Sequence, residues 1–231
     1  MLLALDIDGT IATNGNWYAR WLAKESCLAI AEDQLIRIEY GVDFWQLPEV
    51  RALSHERRAD LRAHSHAHHK DLDHLVNEIP IPGACEALQW LLAKNDAHII
   101  YTTCRPSTSR QLTQEWLARY GFPSPEQVFT CERYHTKFIH AQRIADPKDP
   151  VILIDDQIEK MVPAFRVLIK HERPIALSLI KRIIFVQIGQ SEPPTFPPVP
   201  FPVLALPSWQ RADVMRTFTT ERIVGTRDRA S

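Results

Sequence analysis

Short uninterrupted apolar runs punctuate this chain, and the stretches between them carry apolar residues at every third or fourth position. Ala97–Thr102, Gln127–Thr130 and Arg182–Ile188 read as strands, and Leu2–Leu5 and Val151–Ile154 are the uninterrupted cases. Leu2–Leu5 lacks the polar–apolar alternation of a half-exposed strand, which fits a strand buried on both faces of a parallel sheet. Ala84–Lys94, Ser107–Tyr120, Tyr134–Ile144 and Ile158–Lys170 read as helices. Strands alternating with helices predict an α/β fold, a parallel sheet with helices on both faces. Between Asn16 and Asn77 the pattern is helical instead. Trp17, Trp21 and Leu28 recur at helix spacing, and Pro48 divides the region into at least two helices. The later one carries Val50, Leu53, Leu61, Leu72 and Leu75 on one stripe. The predicted organisation is an α/β core at 1–13 and 81–231, interrupted by a small α-helical insert at 14–80.

One stretch obeys neither period. Ser191–Pro207 holds seven of the 17 prolines, too dense for a central strand or a helix interior. It predicts an extended surface segment at 189–207, leading through Val203–Leu206 to a last helix near Trp209–Thr219. The terminal GTRDRAS reads as a frayed end. With 231 residues the chain can bury a large core without disulfides or structural metals. Its four cysteines, Cys27, Cys85, Cys104 and Cys131, form no CxxC pair and read as reduced thiols, which points to the cytoplasm. No run of about 20 apolar residues suggests a membrane span, and MLLALDIDGT meets its first acid too soon for a signal peptide. The net charge of −1 offers no general footprint for nucleic acid or an anionic membrane, leaving room only for a local basic patch. Neither GxGxxG nor GxxxxGK[ST] occurs, which removes most of the case for dinucleotide or P-loop chemistry.

The candidate chemistry stands where strand runs stop. Asp6 and Asp8 follow the first run; Thr102, Thr103 and Arg105 end or follow the second; Asp155 and Asp156 follow VILI. In an open parallel sheet, right-handed crossovers bring all strand C-termini to one edge, where ligands bind. These groups, distant in sequence, are therefore expected to converge. Two carboxylates ~4 Å apart repel by ~4 kcal/mol at an effective dielectric of 20, so such a cluster calls for a cation. An oxygen-only donor set with hydroxyl and cationic neighbours suits Mg²⁺ and a phosphoryl group.

Asp6-Ile7-Asp8-Gly9-Thr10 resembles the DxDGT signature of the haloacid dehalogenase (HAD) superfamily. The resemblance runs through four motifs over about Leu2–Gln157: Thr103 in YTTCRP, Lys137 in YHTKFIHAQRI and Asp155-Asp156 in VILIDDQ are similar to the second, third and fourth. It implies a Rossmann-like core with a helical cap and Mg²⁺-dependent hydrolysis of a small phosphate ester, such as a nucleotide or sugar phosphate. Carried over by position, Asp6 is the nucleophile that forms an aspartyl-phosphate. Asp8 is the general acid and base. Thr103 binds a phosphoryl oxygen, and Lys137 steadies Asp6 and the developing charge. Thr102 and Arg105 are candidate substrate contacts. The metal set is Asp6, the Asp8 backbone carbonyl and one of the acid pair: Asp156 as the preferred ligand with Asp155 orienting Lys137, or the reverse. The fourth motif departs from the common Gly-Asp-x-x-x-Asp in favour of paired acids, a form found among HAD nucleotidases and polynucleotide phosphatases. Lys148 competes with Lys137 for the third motif but sits in a loop flanked by proline.

Other readings compete. His64 and His68 lie one turn apart beside His66, His69 and His74, either as a metal site, as substrate contacts or as a partly exposed helix face. Trp17, Tyr18, Trp21, Phe44 and Trp45 offer a stacking surface for an aromatic substrate, but aromatic residues at helix spacing are usually core. Dehalogenation by Asp6 is opposed by the second acid, Asp8. Glycoside hydrolysis is opposed by the placement of both acids on one short loop, since a sugar must be flanked from ~5–9 Å apart. Removal of 3′-phosphates from polynucleotides, and a non-catalytic binding role on the same fold, remain alternatives.

Overall fold

The computed structural model describes residues 1–13, 15–38, 44–68, 75, 77–189 and 201–218. Leu72, His69, His74, the stretch 190–200 and the terminal GTRDRAS lie outside the described residues. The chain divides into two compact units, Met1–Ile11 with Ile81–Ser231, and Ala12–Pro80.

The first unit is built on six strands: β1 (Leu2–Leu5), β4 (His98–Thr103), β5 (Val128–Thr130), β6 (Val151–Asp155), β7 (Ile183–Ile188) and β8 (Val203–Leu206). Their order is β5-β4-β1-β6-β7-β8, with every pair parallel. β1 lies between β4 and β6 in a register that sets Leu5 opposite both Tyr101 and Ile154. The residues that follow, Asp6, Thr102 and Asp155, therefore stand level at one edge.

The strands bury both faces. Leu2, Ala4, Ile100, Leu153 and Phe185 join one apolar cluster with residues of α7 (Tyr134–Ile144), α8 (Ile158–His171) and α9 (Arg173–Ile180). Phe138 of α7 meets Phe165 of α8 edge-on at 5.1 Å, and Phe165 meets Phe201 at 5.0 Å. Truncating such a ring to alanine typically costs about 3–5 kcal/mol. The alternating residues Leu3, Leu5, Ile99, Tyr101, Ile152, Ile154, Ile184 and Val186 are equally buried. The same unit holds α5 (Ala84–Asn95), α6 (Arg110–Arg119) and α10 (Arg211–Thr217), each with buried apolar residues.

Three local differences from the sequence reading have physical causes. Ser107–Ser109 forms a 3₁₀ turn before α6, because Pro106 fixes an extended entry. α9 carries no sequence assignment; its Ile175, Ala176 and Leu179 run on toward the apolar residues of β7, and the proline in its first turn is the one start signal. The proline-dense segment, as far as it is described, is not on the surface. Phe201, Leu204, Ala205 and Leu206 are buried, and Val203–Leu206 is a sheet strand. It occupies the edge, where proline's missing donor is tolerated.

The second unit contains β2 (Ala12–Thr13) paired antiparallel with β3 (Ile79–Pro80), and helices α1 (Gly15–Glu25), α2 (Glu32–Ile36), α3 (Pro48–Arg51) and α4 (His55–His68). Tyr18, Leu22, Phe44, Val50 and Leu61 are its buried centre, with Trp17, Trp21 and Trp45 packed against them. These aromatic residues are core, which removes the substrate-stacking reading for Tyr18 and Phe44. The ring of His64 stacks on Trp21 at 5.3 Å.

Candidate active site

β1 delivers the first acid. The Asp6 amide still donates to the Ile154 carbonyl at 2.9 Å, so the side chain is held at the sheet edge while the chain leaves the sheet. The turn is closed by the amides of Thr10 and Ile11, both donating to the Ile7 carbonyl. Gly9 adopts φ +78°, and a Cβ built there would lie 2.4 Å from Asp156 Oδ2. Glycine is required on both counts: for the left-handed backbone and for the close approach of the acid pair.

Lys137 reaches into this edge from the first turn of α7. Its Nζ lies 2.9 Å from Asp6 Oδ1 and 2.8 Å from Asp155 Oδ2, and all three side chains are almost fully buried. Burial alone would push the Lys137 ammonium down, but the carboxylates of Asp155 and Asp6 override it and hold it well above 10.5. Asp155 Oδ1 also accepts the Gln157 amide at 2.8 Å. Lys148 is an exposed residue in the loop before β6, while Lys137 touches the acids directly.

One oxygen from each of Asp6, Asp155 and Asp156 lies within 4.8 Å of the others. Burial pushes Asp6 up to about 7, with Lys137 acting against it and Asp155 and Asp8 adding to it. Burial, then Asp155 and Asp6, push Asp156 up to about 8. The buried Asp156 Oδ1 has no hydrogen-bond partner among the described residues. A buried carboxylate oxygen without a partner is costly unless a cation supplies the missing charge. The donor set is all oxygen, so the site fits a hard divalent ion such as Mg²⁺.

Asp8 stands at the open side, its side chain 48% exposed. The buried Arg105 guanidinium clamps it: Nε lies 3.1 Å from each Oδ and Nη2 lies 2.6 Å from Oδ1. Arg105 Nη1 reaches Thr113 at 3.3 Å. The Thr103 hydroxyl donates to Asp8 Oδ2 at 3.4 Å and accepts the Arg105 amide at 3.2 Å. Asp6, Lys137, Asp155 and Asp156 thus form one set of contacts and Asp8, Thr103 and Arg105 another, with Asp8 near enough to act on the charge of Asp6. Thr102 joins neither. Its fully buried hydroxyl donates to the Leu5 carbonyl at 3.4 Å, because successive strand residues point to opposite faces. It ties β4 to β1.

Two neighbours escaped the sequence reading. Trp209, buried, donates its indole N–H to the Thr10 carbonyl at 2.6 Å, bringing the C-terminal segment onto the turn of the first motif. Its seat needs Gly83, where a Cβ would meet the Trp209 carbonyl at 2.9 Å. No spacing signal links residues 199 positions apart. Tyr134 was findable: it precedes Lys137 by three residues on the same helix face, and its ring centre lies 5.0 Å from Lys137 Nζ. The described histidines form no metal-holding group; the acid trio is the one such group among the described residues. No described helix is long and apolar enough to cross a membrane.

No protein-family model matches the sequence, and no curated protein matches it. Solved structures do. The chain is similar to a haloacid dehalogenase-like family hydrolase from Xanthomonas campestris, with TM-score 0.53 and 12% identity over 100% of this chain and 97% of the other. It is similar to a HAD hydrolase of family IA, variant 3, from Entamoeba histolytica, with TM-score 0.52 and 12% identity over 98% and 99% of the two chains. At these identities the likeness is one of fold, and the chain has the haloacid dehalogenase-like fold.

Proposed function

We propose that the chain is a Mg²⁺-dependent phosphomonoester hydrolase that works through an aspartyl-phosphate on Asp6, on a small phosphorylated metabolite such as a nucleotide or sugar phosphate. The observation that carries this reading is the buried Asp6 carboxylate, held by Lys137 beside an acid pair with an orphaned oxygen. Asp6, Asp156 or Asp155 and the Asp8 carbonyl would hold the ion. When bound, it would supply positive charge that offsets the carboxylate–phosphate repulsion and the negative charge on the phosphoryl oxygens.

A carboxylate oxygen of Asp6 attacks phosphorus, the bond to the leaving oxygen breaks, and Asp8 passes its proton to that oxygen. A water then attacks the phosphorus, Asp8 takes its proton, and the bond to Asp6 breaks to release inorganic phosphate. Arg105 and Thr103 keep the Asp8 carboxyl in position. Lys137 orients Asp6 and offsets charge on the phosphoryl oxygens. The inserted unit, Ala12–Pro80, is read as the cap that the sequence resemblance implies.

The narrower reading, 3′-phosphate removal from polynucleotides, draws on the paired acids and on Arg105 as a candidate contact for a backbone phosphate. The commitment of Arg105 to Asp8 and Thr113 removes the second motive. The test is turnover of p-nitrophenyl phosphate with Mg²⁺ by the wild type and by Asp6→Asn. The expected result is turnover by the first and none by the second, with unchanged circular dichroism. Activity retained in Asp6→Asn overturns the assignment, and no hydrolysis of any phosphomonoester by the wild type favours a binding role.

A further inference from the structure

Tyr134 holds two ammonium groups against one ring. Its ring centre lies 5.0 Å from Lys137 Nζ and 5.3 Å from Lys160 Nζ, and its hydroxyl accepts a hydrogen bond from Lys160 at 3.2 Å. The two cations differ in circumstance. Lys137 is buried and neutralised by Asp6 and Asp155. Lys160 is exposed, and no carboxylate lies within ion-pair distance of it among the described residues. It belongs to the first turn of α8, directly after Asp155-Asp156-Gln157, so its charge stands at the same sheet edge as the acids.

Holding a long lysine side chain in one place costs rotamer entropy, and here no ion pair offsets it. The arrangement makes sense if the partner is a ligand. The Tyr134 hydroxyl, while accepting from Lys160, keeps its own proton to donate. Burial and then the nearby Asp6 push its phenol up, so it stays protonated. A lysine acts as a point charge on an anion, and a tyrosine hydroxyl adds direction.

We infer that Lys160 and Tyr134 form a second anion subsite beside the reaction centre, so that the substrate carries a second anionic group besides the scissile phosphate. This rests on the hydrolase reading and narrows its substrate class. The second group is a phosphate on a small bisphosphorylated metabolite or the phosphodiester of a short oligonucleotide end; the subsite chemistry is shared, and the test separates them.

The experiment compares p-nitrophenyl phosphate, adenosine 3′,5′-bisphosphate and a dinucleotide bearing a 3′-phosphate, using the wild type, Lys160→Gln and Tyr134→Phe. In Lys160→Gln the ratio of kcat/KM for a doubly anionic substrate to that for p-nitrophenyl phosphate falls about tenfold, the effect of losing one charge-assisted contact. Tyr134→Phe moves the ratio the same way by less. The substrate whose ratio falls identifies the source of the second anion. A ratio unchanged in both variants overturns the subsite. Failure of the wild type to hydrolyse p-nitrophenyl phosphate counts against the hydrolase reading alone. The subsite is then read by calorimetry of the bisphosphate and the dinucleotide with Asp6→Asn and with Asp6→Asn/Lys160→Gln. Weaker binding of either ligand by the double variant supports it; equal binding of both, or no binding, overturns it.

Discussion

Asp6 is a carboxylate placed where carboxylates resist ionising, yet the proposed chemistry needs its charged form. Burial raises it to about 7, and Lys137 is the group that works against this. Asp155 in turn holds Lys137, so one buried cation is shared between Asp155 and the proposed nucleophile, Asp6. Asp8 is handled differently. It stays half exposed and takes its position from outside contacts, three of them from Arg105. The planar guanidinium supplies a paired fork that an ammonium lacks. Arg105→Lys is therefore expected to lower kcat about tenfold with a smaller change in KM, since a misplaced acid acts on the chemical step rather than on binding. Steady-state kinetics on p-nitrophenyl phosphate with parallel thermal unfolding checks this. A variant with wild-type kcat would show that Asp8 does not depend on the clamp.

At the scale of elements, the register of β1 with β4 and β6 assembles the site. Leu5 opposite Tyr101 and Ile154 sets Asp6, Thr102 and Asp155 level, after which local turns aim the side chains. The C-terminal segment adds a tie from outside the motifs, through Trp209 to Thr10. Trp209→Phe keeps the aromatic bulk but leaves the Thr10 carbonyl without this donor, which is expected to cost about 1–3 kcal/mol of stability by urea unfolding and to lower kcat. Unchanged stability would mean that this carbonyl does not need the bond. The central strands were legible in the sequence because burial on both faces leaves uninterrupted apolar runs, as at Leu2–Leu5 and Val151–Ile154. The acids were legible because they end those runs. α9 was not, because its apolar face merges with the next strand, and β8 was obscured by prolines that an edge position tolerates. Thr102 and Thr103 look alike in sequence, while the pleat sends neighbouring strand residues to opposite faces. The clamp of Arg105 on Asp8 depends on side-chain direction, which no spacing encodes.

For the whole molecule, the acid cluster makes stability depend on proton and cation together. Asp6 and Asp156 are raised from 3.8 to about 7 and about 8, so between those limits the folded state binds more protons than the unfolded state. Their contribution is fully present below the unfolded value and is lost as pH rises through the folded ones. The thermal midpoint of metal-free protein should therefore fall between pH about 4 and about 8, apart from other titrating groups. Mg²⁺ should raise it more at the upper end, where its ligands have shed their protons. Scanning calorimetry with EDTA and with Mg²⁺ checks both; a Mg²⁺ effect independent of pH would contradict the assignment of these carboxylates as ligands. The central claim is that the gathered acids make Asp6 a nucleophile toward phosphorus. It is tested most directly by acid-quenching a single turnover of radiolabelled aryl phosphate and mapping the label. The account predicts label on the N-terminal peptide that contains Asp6, and none on Asp6→Asn. Turnover that leaves the protein unlabelled, or label that persists in Asp6→Asn, would contradict it.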